Sequence, residues 1–437
     1  MKPINVGLLG IGTVGGGTFN VLARNSEEIA RRAGRPIRIS VVADKNTALA
    51  ESVTKGACRV TDDAFAVVSD PEIDIVIELI GGYGVAKELV LQAIHNGKHV
   101  VTANKALLAV HGNEIFAEAQ KKRVMVAFEA AVAGGIPIIK AVREGLAANR
   151  IEWIAGIING TTNFILSEMR DKSLPFDVVL KEAQALGYAE ADPTFDIEGV
   201  DAAHKITILS ALAFGTSMQF DKAHIEGISK LDAVDIKYAE QLGYRIKLLG
   251  VTRRAPEGIE LRVHPTLIPA KRLIANVEGA MNAVLVQGDA VGATLYYGKG
   301  AGAEPTASAV IADLVDVTRM HTADPENRVP HLAFQPNQLA NIPVLPMDEV
   351  RTSYYLRLRV EDQPGVLADI TRILANEAIS IDAVIQKEPD EGEAQTDLIL
   401  LTHLTREKHI NAAIAKIEAL PVVAGKVTRL RMEELGK

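Results

Sequence analysis

Over the first 130 residues, short apolar runs alternate with stretches of helix-favouring composition. Residues 4–10, 37–44, 74–80, 99–103 and 124–129 predict strands, and residues 18–32, 86–96 and 106–122 predict helices. Strands that take turns with helices in this way build a parallel sheet covered on both faces. A doubly wound α/β unit is expected here. Beyond residue 134 the pattern loosens: a strand over 151–158, a helix from Phe164 and an apolar helix over 202–214 predict an α+β unit. The glycine-rich stretch 298–302 leads into 306–319, where Ala309, Val310, Ala312, Leu314, Val315 and Val317 are spaced for a helix packing back on an earlier unit.

Residues 322–348 carry five prolines and few periodic apolar positions, which predicts a linker. The period then becomes two. Tyr354, Leu356, Leu358 and Val360 alternate with Tyr355, Arg357, Arg359 and Glu361, as in a half-buried strand. The turn Asp362-Gln363-Pro364-Gly365, a helix over 366–377, strands over 379–386 and 396–403, a helix over 408–420 and a strand over 427–432 complete the order βαββαβ. That order is the ferredoxin-like arrangement.

A length of 437 residues accommodates these units as separate domains. The net charge of −8 supplies no global positive field, so nucleic acid is not an expected partner. No apolar run approaches the ~20 residues of a membrane span, and the start Met1-Lys2-Pro3 lacks a secretory pattern, so no membrane partner is expected. The single cysteine, Cys58, forms no intrachain disulfide and has no Cys or His cluster for zinc, which points to a cytoplasmic setting.

Gly10-Ile11-Gly12-Thr13-Val14-Gly15 follows the first strand and opens a helix, the context of a dinucleotide fingerprint. Gly10 serves the tight turn, Gly12 lets the backbone approach the pyrophosphate, and Gly15 permits close helix packing. Asp44 ends the second strand, either as a ribose acceptor or as a turn residue, while Lys45 and Arg38 offer charge to a 2′-phosphate. NAD and NADP both stay open. Lys105 closes the segment Thr102-Ala103-Asn104 at the carboxyl edge of the sheet, where it faces ligand or solvent, and Asn104 suits a helix cap.

Residues 129–136 follow the fifth strand, with one carboxylate and several exposed carbonyls. They read as a cation loop or as a hinge before Pro137. Residues 187–205 carry Glu190, Asp192, Asp196, Glu198 and Asp201, then Lys205. Asp201 and Lys205, four apart, form either a plain helical ion pair or a desolvated ammonium held ready to exchange a proton. Glu190 and Asp196 are available to a substrate ammonium. Gly160-Thr161-Thr162-Asn163 offers hydroxyls and helix-terminal N–H groups, to a small carboxylate or simply as a cap.

Together these segments, with 300–305 and the C-terminal unit, resemble the homoserine dehydrogenase family over nearly the whole chain. The resemblance implies a Rossmann-type NAD(P) domain over 1–133 with a return helix at 303–320, and a substrate-binding and dimerisation domain over 134–302. A linker over 321–349 and an ACT regulatory domain over 350–437 follow. It implies reversible reduction of L-aspartate 4-semialdehyde to L-homoserine, on the route to threonine and methionine. Lys205 resembles the proton donor, Lys105 a second charged group beside the nicotinamide, and Asp201 the residue that orients Lys205. Glu190 resembles the ligand of the substrate amino group, with Gly187, Tyr188, Asp196, Gly160 and Thr161 completing the substrate pocket. Gly10, Ile11, Gly12, Thr13, Val14, Gly15, Lys105 and Gly302 resemble the coenzyme contacts. Glu129, with the carbonyls of Val132, Gly134 and Ile136, resembles a structural sodium site. A homodimer or homotetramer, and threonine as inhibitor, complete what the resemblance implies.

Two rival readings remain. An ACT-tailed 2-hydroxyacid dehydrogenase needs a catalytic histidine with an acidic partner, for which His204 is the nearest candidate. An amino-acid sensor with an idle nucleotide domain needs no catalytic lysines.

Overall fold

The computed structural model describes residues 2–387 and 393–436. Its first sheet contains β1 (Ile4–Leu9), β2 (Ile37–Ala43), β3 (Arg59–Thr61), β4 (Ile75–Glu78), β5 (His99–Thr102) and β6 (Val126–Ala127). They lie in the order β3-β2-β1-β4-β5-β6 and pair in parallel. The order reverses between β1 and β4, which opens a crevice at the carboxyl ends where such sheets take their ligands. All six residues of β1 are buried, as a central strand covered on both faces requires.

The helix expected over 18–32 divides into Thr13–Arg24 and Ser26–Ala33, because Asn25 leaves helical geometry (φ −106°, ψ 18°). Its early start hides behind Gly15-Gly16-Gly17, which weaken helix propensity but allow close approach. A Cβ on Gly17 would stand 2.5 Å from the Ala303 oxygen. The helix Ala303–Met320 thus lies directly on Thr13–Arg24, with Ala307, Val310 and Leu314 sharing a core with Val6 and Leu8. The strand expected over 124–129 shortens to Val126–Ala127, since Glu129–Ala131 coils into a 3-10 turn.

A second sheet contains β7 (Ile151–Ile157), β8 (His224–Ile225), β9 (Tyr244–Ala255), β10 (Gly258–Pro269), β11 (Met281–Gly288) and β12 (Gly292–Lys299). It continues into β13 (Arg351–Glu361), β14 (Ile381–Gln386), β15 (Gln395–Thr402), β16 (Thr405–Arg406) and β17 (Val423–Met432). The main path is β12-β11-β7-β9-β10-β17-β13-β15-β14. The C-terminal βαββαβ unit is therefore joined edge to edge with the middle one, through Thr266 opposite Arg431 and Leu267 opposite Met432.

Two features of the packing go beyond what the pattern predicts. The alternation in β13 predicts an exposed face, yet Tyr355 is fully buried, and its hydroxyl and the Arg357 guanidinium both donate to Asp235 of the helix Ala233–Gln241 (2.8 and 2.6 Å). The proline-rich stretch is a packed strap: Ala340 N–H donates to Gly215 O (2.7 Å), Ile259 N–H donates to Pro343 O (2.9 Å) and Leu345 N–H donates to Ile259 O (2.8 Å). Proline denies it helix and sheet, but Leu332 still enters the core.

The junction is ionic as well as hydrogen-bonded. Arg431, 1% exposed, donates to Glu226 and Glu407, and the fully buried Arg262 donates to Glu260 (2.7 Å) and Glu433 (2.5 Å). Burial opposes ionisation of Glu226, but His224 and Arg431 hold its carboxyl far below the ordinary value of 4.5.

Candidate active site and coenzyme cleft

At positions 10 and 15 of the fingerprint the geometry admits only glycine. Gly10 has φ +93°, and a Cβ there would meet Leu79 O at 2.7 Å, while a Cβ on Gly15 would overlap Gly10 O. Gly12 faces open space, and the helix behind it has no side-chain cap, which leaves its first N–H groups free for an anion. Asp44 ties this turn down: its carboxylate accepts from Ile11 N–H (2.7 Å) and Asn46 N–H (2.8 Å). Arg38 lies at the opposite, amino end of β2, bonded to Asn5 (2.8 Å), and so does not face a 2′-phosphate at the carboxyl edge.

A cleft of about 390 Å³ extends from Val14 across Ile80 and Tyr83 to Lys105 and Phe195. Its floor is rigid. The buried Glu78 accepts from Ile80 N–H (2.9 Å), Gly81 N–H (3.0 Å) and the Thr102 hydroxyl (2.7 Å). Asn104 caps the helix Lys105–Lys122 through Leu107 N–H (3.0 Å), so the lysine begins the helix and points from its first turn.

From the other side comes the helix Val200–Phe214, almost entirely buried. Asp201, on its first turn, receives Lys205 Nζ on Oδ2 at 2.7 Å and faces Lys105 Nζ across 3.3 Å from Oδ1. The two lysines, a hundred residues apart, thus meet on one carboxylate. Burial works against the Asp201 charge, but Lys205 and Lys105 outweigh it and hold this carboxyl well below the usual range. Lys205 also donates to Ile158 O (2.8 Å).

Asn159 is the residue that sequence reasoning missed. It caps the helix Gly160–Lys172 through Thr162 N–H (2.8 Å), and its amide bridges Asp196 Oδ1 (2.7 Å) and Asp201 Oδ2 (2.9 Å). An asparagine directly before Gly160-Thr161-Thr162 was the available signal. Thr161 donates to Tyr188 O (2.7 Å) and lies 3.2 Å from Asp196. Burial, then the neighbouring Asp201, pushes the Asp196 carboxyl upward. Gly160 presses on Ala280 O, where a Cβ would stand at 2.8 Å. Gly187 takes φ +77° after the helix Phe176–Ala185, and Tyr188 stacks on Phe164 at 4.4 Å. Glu190 stands exposed on the same loop.

Gly302 (φ +124°) starts the return helix. Gly134 packs on Gly300, and Gly135 N–H donates to Lys299 O (2.9 Å), so the loops at 134 and 300 close on each other. The Glu129 carboxylate is engaged by Ile139 N–H and Lys140 N–H (both 2.9 Å), and burial with the nearby Asp313 raises it to about 7. His204 is wedged between Phe195 and Phe220, with no acid bonded to it among the described residues, and burial lowers it to about 4. This geometry disfavours the 2-hydroxyacid reading.

Family models agree with this architecture: "Homoserine dehydrogenase, NAD binding domain" matches residues 10–129, "Homoserine dehydrogenase" residues 137–315 and "ACT domain" residues 354–422. Homoserine dehydrogenase of Pseudomonas aeruginosa is 64% identical over 435 residues, covering 100% of both chains. That of Neisseria gonorrhoeae is 63% identical, again over 100% of both. A crystal structure of a homoserine dehydrogenase from Thiobacillus denitrificans superposes with a TM-score of 0.96 at 73% identity, over 100% of this chain and 99% of that one. No described helix is long and apolar enough to cross a membrane. The shared sequence over its full length, together with a Rossmann cleft that ends on a lysine-bridged carboxylate, places this chain in the homoserine dehydrogenase family, as an NAD(P)-dependent oxidoreductase acting on a CH–OH group.

Proposed function

We propose that Lys205 is the proton donor in the reduction of L-aspartate 4-semialdehyde to L-homoserine, with Lys105 stabilising the developing alkoxide. The observation that carries this reading is the convergence of both ammonium groups on Asp201. An ammonium has three N–H donors. Lys205 commits two, to Ile158 O and Asp201, which leaves one for the aldehyde oxygen. Asp201 stays ionised, so it orients the donor rather than taking the proton itself. The uncapped turn at Gly10–Gly15 suits the coenzyme pyrophosphate, with Ile11, Thr13 and Val14 lining it and Gly302 closing over it. The bound dihydronicotinamide supplies the hydride. Glu190, with Asp196, Thr161, Gly160, Gly187 and Tyr188, is proposed to seat the amino-acid end of the substrate. The units 1–133 with 303–320, 134–302 and 350–437 are the proposed domains.

The test is consumption of reduced coenzyme with the semialdehyde, run separately with NADH and NADPH. Rapid oxidation of one or both is expected, and no consumption with either would overturn the assignment.

Among the described residues no cluster of three His, Cys, Asp or Glu side chains is placed to ligate a metal. The Glu129 carboxylate is already committed to amides, so the proposed sodium rests on main-chain oxygens of Glu129, Val132, Gly134 and Ile136. A cation that binds only the folded loop stabilises it by mass action. Exchange of sodium for potassium at constant ionic strength is expected to lower the melting temperature reversibly, and identical melting in both salts would remove the ion. Threonine as inhibitor, through the ACT unit, and assembly as a homodimer or homotetramer belong to the same proposal.

A further inference from the structure

Two carboxylates of the candidate site lean on one amide. Asn159, 4% exposed, lies between β7 and the helix Gly160–Lys172. Its Oδ1 is taken by the helix, accepting from Thr162 N–H (2.8 Å) and from the Thr162 hydroxyl (2.9 Å), which fixes the way the amide faces. Nδ2 then spends its two hydrogens on Asp196 Oδ1 (2.7 Å) and Asp201 Oδ2 (2.9 Å). A helix cap needs only the oxygen. Serine or aspartate supplies that as well, so capping does not account for the two donors.

The Asp201 oxygen that Asn159 touches is the one that also receives Lys205 Nζ (2.7 Å), whereas Lys105 faces the other. The preceding residue, Ile158, gives its carbonyl to the same ammonium (2.8 Å). Residues 158 and 159 therefore grip Lys205 twice, once by the main chain and once through Asp201. The support behind them is stiff. Asn163 Nδ2 donates to Val277 O (3.0 Å) and Gly279 O (2.8 Å), and the buried Lys247 donates to Asn163 Oδ1 (3.1 Å), which pins the first turn of the capped helix. The amide also stands between like charges: Asp201 pushes the Asp196 carboxyl upward, and the hydrogen bond from Asn159 opposes that push.

We propose that Asn159 is a positioning residue for the reduction: by fixing Asp201 Oδ2 it aims the Lys205 ammonium, and by holding Asp196 it ties that aim to the substrate seat. The proposal rests on the reading of Lys205 as proton donor. Asn159 acts through Asp201 and not on the reacting atoms, so its whole contribution to turnover passes through the lysine.

The test is a double-mutant cycle on the full-length enzyme with Asn159→Ser, Lys205→Ala and the two combined, read by kcat, the KM of semialdehyde and of coenzyme, and melting temperature. Serine caps the helix as well as asparagine, but its single hydroxyl hydrogen cannot bridge two carboxylates, so melting and the coenzyme KM are expected to match wild type. Turnover of Asn159→Ser should fall about 10- to 100-fold, the scale of a misplaced group. In the Lys205→Ala background the same substitution should change turnover by less than about twofold, because residues that act as a unit are not additive. Asn159→Asp, which keeps the outline and the cap but at most one donor, is expected to lose turnover in the same way. Losses that multiply in the double variant overturn the proposal and keep Lys205 as donor. Wild-type turnover of Lys205→Ala removes the donor itself and the role of Asn159 with it. A loss in both Asn159 variants that tracks earlier melting makes the residue a plain cap and overturns the proposal, as does wild-type turnover of Asn159→Ser.

Discussion

Lys205→Ala is expected to lower turnover by ~10² to 10⁴-fold, the usual contribution of a positioned acid, while coenzyme affinity is retained. The split follows from where the residue sits. Its Nζ is bonded to Ile158 O and Asp201 on the middle unit, whereas the glycine turn that suits the pyrophosphate belongs to the first sheet. Removal of the side chain leaves Asp201 still paired with Lys105 and bonded to Asn159, so the carboxylate is not stranded and the fold should survive. Steady-state rates with the semialdehyde, beside a fluorescence titration of reduced coenzyme, check both halves. Turnover equal to wild type would take Lys205 out of the mechanism, and parallel loss of coenzyme binding would make it structural.

The second large effect belongs to the junction. Arg431→Met leaves Glu226 and Glu407 short of their main counter-charge, and breaking a buried pair from one side costs about 3 to 5 kcal/mol. Glu226 keeps His224 and Arg429, and Glu407 keeps the Tyr354 hydroxyl, which places the expected loss near the lower bound. Calorimetry should show the C-terminal unit melting earlier than the rest, where the wild type melts together. Acid acts at the same place. A carboxyl whose folded pKa is depressed, as those of Glu226 and Glu433 are, contributes stability fully above its ordinary value of 4.5, and that contribution is lost as pH falls through the folded pKa. Undiminished stability of Arg431→Met would show the network to be dispensable.

Much of the first unit was legible because its strands are apolar and bounded by turns, and glycine at 10 and 15 has a purely steric cause. The strands β9 to β12 were not resolved by pattern. Lys247, Glu260, Arg262 and His264 interrupt β9 and β10 with polar side chains, and their burial depends on partners distant in sequence, such as Glu433. The same limit hid Asp235 as the receiver of Tyr355 and Arg357. In the candidate site, Asp201 with Lys205 could be seen from a spacing of four, but the arrival of Lys105 on the other oxygen is a tertiary fact. Asn159 was passed over because a cap explains it fully until its amide is seen to bridge two carboxylates.

The outer side of β10 is covered in relay: Val344 bridges Ile259, β8 pairs with Arg262 and Val263, and β17 pairs with Thr266 and Leu267. A shortened protein that ends before β13 would strip the last of these and unmask hydrogen-bonding groups along that rim of β10. Such a rim invites strand addition from other molecules. An engineer who wants a catalytic fragment free of its tail must therefore also supply a new edge, by proline, lysine or a grafted strand, or accept precipitation.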